Sequence, residues 1–132
     1  MTLVLDASAL VAYLANDEGA RAVARLIGDD DEIPWTLPLV DAEVGHALRG
    51  MVLRRRTSPT RARLALERLA AMPLRRTGVT SHLQQAWALR DNLSFYDALY
   101  VSLAAKIDAP LVTLDRRLAA APKLPARVIV PG

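Results

Sequence analysis

The chain has 132 residues, 52% apolar and 23% charged, a globular composition that excludes a disordered chain and leaves room for a real core. It contains no cysteine, which excludes disulfides and thiolate metal sites and fits a reducing, cytoplasmic setting. The formal net charge of +3 rests almost wholly on arginine, since Lys106 and Lys123 are the only lysines; arginine's fork suits phosphate oxygens, but the nucleotide composition of the source genome explains an Ala- and Arg-rich chain equally well.

In chain order, the N-terminal run MTLVLDASALVAYLA has no basic lead and is broken by Asp6, so it reads as neither a signal peptide nor a membrane span. Within it, TLVLD (2–6) is nearly continuous in apolar residues, as a strand covered on both faces requires. Helices are expected over 7–15 and, with an amphipathic pattern, over 18–27. DDDE (29–32) reads as a solvated loop before a strand rather than a cation site. EIPWT (32–36) is a weaker strand candidate. A long helix over 39–55 ends in Arg54, Arg55 and Arg56. In SPTRARLALERLAAM, Ser58 is a natural N-cap and Pro59 the first helical residue. PLRRT (73–77) is a second weak strand. A helix over 80–90 carries His82 and Trp87, both assigned to packing. The helix over 93–106 has a strongly apolar body, with Tyr96 and Tyr100 spaced for one face and assigned to the core or to an oligomer interface. LVTLD (111–115) and RVIV (127–130) read as buried strands flanking a short helix from Asp115. There is no repeat, linker or low-complexity tract, so a single domain over 1–132 is expected. Strands alternating with helices predict an α/β fold, a three-layer α/β/α sandwich around a mostly parallel central sheet.

Two of the strands end alike, LVLD in Asp6 and LVTLD in Asp115, and each leads straight into a helix. In a parallel sheet the carboxyl ends lie on one edge, where such folds bind ligands, so these two acids share that edge whatever the strand order. Asp97 and Glu43, each early in a helix, are free to join them. Each acid has a plainer reading. Asp6 and Asp115 are natural N-caps, Ser94-Phe95-Tyr96-Asp97 resembles a capping box, and Glu43 suits a helix N-terminus. Taken together, clustered carboxylates repel one another, and a hard divalent cation removes that cost. With neither cysteine nor paired histidines, oxygen-binding metals such as Mg²⁺ fit and zinc does not. Carboxylate-held Mg²⁺ beside a basic surface suits hydrolysis of a phosphodiester.

VLDASAL, DAEVGHALR, YDALYVSLAA and LVTLDRRLA stand in the order and spacing of PIN domains, and the whole chain resembles the VapC-type toxins of bacterial toxin–antitoxin pairs. The resemblance implies a Mg²⁺- or Mn²⁺-dependent endoribonuclease, with Asp6 and Asp97 as main metal ligands. Glu43 would then position the metal or the attacking water, and Asp115 would bind through water or complete a second site. Ser8 and Thr113 match the family's supporting hydroxyls. His46 replaces the Asn that many relatives carry three residues after the Glu, and its role stays open. The resemblance also implies RNA as substrate, a cognate antitoxin as partner, a homodimer and no membrane association. The arginines at 54–56 have three readings: partners of a helix dipole, a phosphate track, or a dock for an acidic antitoxin segment. Few aromatics argue against an extended stacking platform. Dehalogenase-type phosphatases and receiver domains lose ground because Ser8 stands where the former place a second Asp and the latter's paired acids are missing. The different-class alternative is a non-catalytic PIN-like module that binds RNA or protein.

Overall fold

The computed structural model describes residues 1–28 and 32–132, so all of the DDDE run but Glu32 lies outside the described residues. The elements follow in the order β1 (Val4–Leu5), α1 (Ala7–Ala15), α2 (Ala20–Ile27), β2 (Trp35–Thr36), α3 (Val40–Leu53), α4 (Pro59–Ala71) and β3 (Arg75–Arg76). A 3₁₀ turn (Thr80–His82), α5 (Leu83–Ala88), α6 (Phe95–Lys106), β4 (Leu111–Val112), α7 (Arg116–Ala120) and β5 (Val128–Ile129) complete the chain.

The five strands form one sheet of order β3-β2-β1-β4-β5, and every pairing is parallel. Val4 lies opposite both Trp35 and Leu111, and Leu5 opposite Val112. From β1 the chain moves outward through β2 to β3, then returns to the other side of β1 for β4 and β5. Right-handed crossovers therefore place α1–α4 on one face and α5–α7 on the other, which makes the three layers. The reversal between β1 and β4 is a topological switch point, and a crevice opens at the carboxyl ends of those two strands.

The apolar runs become strands where the sheet is covered. Val4, Leu5, Leu111 and Val112 are fully buried. The regular ladders are shorter than the runs. The 127–130 run is only half-buried, because β5 is an edge strand with one neighbour. The weak candidates at 32–36 and 73–77 do form β2 and β3, and β3 is exposed at the opposite edge. Local chemistry sets the helix ends. Ser58 accepts from Arg61 N with Pro59 in the first turn, and Ser94 Oγ accepts from Asp97 N at 3.1 Å. The helix expected from residue 18 begins at Ala20, because Gly19 has φ +89° and its missing Cβ would stand 3.2 Å from Leu114 Cδ1. The stretch over 80–90 splits into the 3₁₀ turn and α5, with His82 buried and Trp87 58% exposed beneath Arg90. Among the described residues no helix is long and apolar enough to cross a membrane.

Candidate active site

Asp6 follows β1 and caps α1, its Oδ1 accepting from Ala9 N at 3.0 Å and from Ser8 Oγ at 2.6 Å. With its O–H donated in the hydrogen bond to Asp6, the Ser8 hydroxyl oxygen accepts from Leu114 N at 2.9 Å and lies 3.2 Å from Thr113 Oγ1. Thr113 Oγ1 accepts from Asp115 N at 3.1 Å. This web ties the start of α1 to the end of β4 and fixes the Asp6 carboxylate, only 6% exposed, at the switch point.

Two helices from opposite layers bring further acids to the same edge. Glu43 stands in the first turn of α3 and Asp97 in the first turn of α6. Tyr100, three residues after Asp97 and so on the same face of α6, donates its hydroxyl to Glu43 Oε1 at 2.6 Å. That bond joins the two helix layers. Asp115 sits nearby but caps α7, its Oδ1 accepting from Arg117 N at 2.9 Å and Leu118 N at 3.4 Å.

Electrostatics shows which acids feel one another. Burial raises the Asp6 carboxyl above its ordinary value and the charge of Asp97 adds to this, while the Ser8, Thr113 and Ala9 hydrogen bonds pull it back. Burial raises Glu43 as well, and Asp6 and Asp97 push the same way against the Tyr100 hydrogen bond. Asp97 is raised by burial and by Asp115, opposed by Ser94 and Arg117. Tyr100 is held far above the usual phenol value by burial first and then by Glu43. The site thus contains three carboxylates whose ionised forms are disfavoured by desolvation and, to a lesser degree, by a neighbouring carboxylate.

This donor set fits a hard cation. It offers carboxylate and hydroxyl oxygens only, and the charge that destabilises it is the charge a divalent ion neutralises. Among the described residues no group of three or more His, Asp or Glu side chains is gathered closely enough to hold a metal by itself. Mg²⁺ does not require such a cage, because it commonly takes one or two carboxylates and keeps its waters for substrate phosphates.

A family model described as "PIN domain" matches residues 3–124. The chain belongs to the PIN domain family. Ribonuclease VapC1 of Mycobacterium tuberculosis is 45% identical to it over 126 residues, covering 95% of this chain and 94% of that protein. The structure of PAE2754 from Pyrobaculum aerophilum shares the fold with a TM-score of 0.68 and 28% identity, covering 97% of this chain and 83% of that one. A toxin–antitoxin complex from Klebsiella pneumoniae includes a chain of the same fold, with a TM-score of 0.64, 16% identity and 98% of each chain covered.

In this PIN domain the sequence reading missed two tyrosines. Tyr100 is in the core as expected, but a buried phenol needs a hydrogen-bond partner, and its position three residues after Asp97 pointed toward the acids. Tyr96 is not a core residue: it is 63% exposed, on the wall of a groove that Glu43 and Ser8 also line. His46, one turn beyond Glu43, is exposed on that groove and makes no side-chain hydrogen bond among the described residues.

Proposed function

We propose that this PIN domain, acting as a single unit over 1–132, is a cytoplasmic Mg²⁺- or Mn²⁺-dependent endoribonuclease toxin held in check by a cognate antitoxin. The observation that carries the reading is the convergence of Asp6, Glu43 and Asp97, each raised by burial first, at the β1/β4 switch point. The similarity to a ribonuclease over nearly the whole chain supplies the substrate class, and the likeness to a toxin–antitoxin structure supplies the partner. A homodimer is the assembly we favour, by analogy with the symmetry common among small proteins.

Asp6 and Asp97 would hold the cation, with Asp115 reaching it through water or completing a second position. When bound, the cation supplies Lewis acidity toward a phosphoryl oxygen and lowers the cost of deprotonating water. The chain's own groups do the rest. Ser8 and Ala9 hold the Asp6 carboxylate in one orientation, and Thr113 supports Ser8. Tyr100 fixes Glu43 Oε1, and the raised affinity of Glu43 for a proton suits it to orient or deprotonate the attacking water. Water oxygen bonds to phosphorus, the bond to the 3′ oxygen breaks in line, and that oxygen takes up a proton. The products are a 3′ hydroxyl and a 5′ phosphate.

The test is cleavage-site mapping on total bacterial RNA with wild type and Asp97→Asn, in Mg²⁺ and in EDTA. New 5′-phosphate ends that require both Asp97 and the cation are expected. If no condition yields such ends while Mn²⁺ titration shows no binding that depends on Asp97, the non-catalytic binding module takes its place.

A further inference from the structure

A separate cavity of about 500 Å³ lies on the α5–α7 face of the sheet, and none of the four acids lines it. The pleat decides which side chains reach it. Trp35 and Arg75 pair across β2 and β3, so Trp35, Arg75 and Thr77 point to one face. Arg76 points to the other, where it meets Asp41 of α3 at 2.8 Å. Trp35 and Thr77 therefore face the α6 layer. There the cavity is closed by His82 of the 3₁₀ turn, by Leu103 and Lys106 of α6, and by Ile107 at the C-cap of that helix. Leu103, Lys106 and Ile107 share one side of the helix by their spacing. Lys106, in the last turn of α6, stands about 14 Å along the axis from Asp97 in the first, so this cavity is apart from the acid site.

Two buried polar groups line this cavity without a partner. His82 is only 2% exposed, and among the described residues its ring makes no hydrogen bond. Thr77 Oγ1 is buried and, among the described residues, also makes none. A buried polar atom left unpaired costs about 1–3 kcal/mol, so two such groups on one cavity point to a ligand that supplies the missing bonds. Burial first, and then the charge of Lys106, hold the His82 imidazole below its ordinary value of 6.5. At neutral pH the ring is therefore uncharged, with one N–H to donate and one nitrogen to accept. The walls beside these groups are apolar, from Trp35, Leu103 and Ile107. Lys106 is exposed where it borders the cavity and has no ion pair among the described residues. A hydrocarbon ligand would leave His82 and Thr77 unpaired, and a bare anion would make no use of the walls. A planar ring with donors and acceptors on its edge, joined to an anionic group, meets the polar pair, the walls and the lysine together. The volume is that of a small-molecule site and leaves room for a sugar between ring and anion.

We propose that this cavity binds a nucleoside monophosphate, with the edge of the base hydrogen-bonded to His82 and Thr77 and the phosphate paired with Lys106. The site is distinct from the acid cluster, and the inference stands whether or not the nuclease reading does.

The test uses the full chain in EDTA, which keeps cation-bound nucleotide off the acids. Trp87→Phe, at a position 58% exposed, leaves Trp35 as the only tryptophan, so its emission reports on the cavity. AMP, GMP, CMP and UMP are titrated in turn, with adenosine, inorganic phosphate and benzoate for comparison. A saturable change in Trp35 emission with at least one nucleotide is expected. Thr77→Val removes a hydroxyl that has no partner among the described residues, so the free protein melts no lower than its parent. The same substitution weakens nucleotide and nucleoside alike by about fivefold. Lys106→Gln weakens the nucleotide by about threefold and leaves the nucleoside unchanged. The proposal is overturned if no nucleotide at millimolar concentration changes the emission of Trp35. It is equally overturned if a nucleotide binds and either variant, folded by circular dichroism, binds it as its parent does, which places the nucleotide elsewhere. Phosphate or benzoate binding as tightly as the best nucleotide also overturns it and leaves a simple anion site.

Discussion

The ends of β1 and β4 look alike in sequence and differ in the fold. LVLD and LVTLD each place an aspartate between an apolar strand and a helix, and each aspartate caps the helix that follows. Asp6 is nearly sealed from water, gripped by Ser8 and Ala9, and burdened by the charge of Asp97. Asp115 lies one strand over with its side chain 36% exposed and with Arg117 Nε 3.7 Å away. The difference arises from what covers each strand end. Two helix layers close over β1, the middle strand, whereas β4 ends beside a short terminal helix and the edge strand β5. Desolvation turns a cap into a candidate ligand, and an exposed cap remains chiefly a cap.

The sharpest way to break this comparison is to neutralise each acid in turn. Asp6→Asn keeps an N-cap oxygen but removes the buried charge, and RNA cleavage is expected to fall by about 10³-fold or more, several kcal/mol of transition-state stabilisation. Asp115→Asn is expected to cost about 10- to 100-fold, the range of an outer-shell partner. Rates measured on one RNA substrate at fixed Mg²⁺ decide it. Equal losses from the two substitutions would show that burial does not rank these acids.

Next in size are the groups that hold the acids. Tyr100→Phe removes the hydroxyl on Glu43, and cleavage is expected to drop about tenfold through kcat, with KM for RNA little changed. Ser8→Ala cuts the web at its centre. It leaves Leu114 N without its acceptor and Asp6 with only its Ala9 N donor, and chemical denaturation is expected to show a loss of about 1–3 kcal/mol. If Ser8→Ala matches wild type in stability and in Mn²⁺ affinity, the web does not organise Asp6.

Much of this arrangement was legible in the residues. The continuous apolar runs at 2–6 and 111–115 marked the two buried central strands, and Asp6 and Asp115 ended them as expected. Ser58 with Pro59 and Ser94 with Asp97 announced the starts of α4 and α6. What was hidden depends on long-range packing. RVIV reads like LVTL, yet it is half-buried because nothing pairs beyond it. Tyr96 and Tyr100 share a spacing and part company in the fold, one in the groove and one on Glu43. Spacing along a helix gives a shared face, but which residue of that face meets another layer is set by residues far away in the chain. The same holds for Arg54, whose sequence context suggests a helix end and whose groove-facing position depends on α1 across from it.

The smallest expected effect concerns stability, and its sign opposes intuition about acids that cap helices. With Asp6, Glu43 and Asp97 all raised in the folded chain, the native state binds protons more readily than the unfolded one over the window from ordinary carboxylate values upward. Their favourable contribution is therefore complete below the unfolded values, 3.8 for Asp and 4.5 for Glu, and is lost as pH rises through the raised folded ones. At neutral pH, in EDTA, the ionised cluster is a net burden. Asp6→Asn should then raise stability by on the order of 1 kcal/mol, a few degrees in melting temperature, and flatten this part of the pH profile. Asp115→Asn retains the cap on an exposed side chain and should move the melt little. Adding Mg²⁺ should raise the melting temperature of wild type more than that of Asp6→Asn, because the variant lacks the most deeply buried of the charges a cation relieves. A metal-free Asp6→Asn protein less stable than wild type at neutral pH would mean that the capping bonds outweigh the buried charge. The contrast between the two strand ends would then reduce to capping alone.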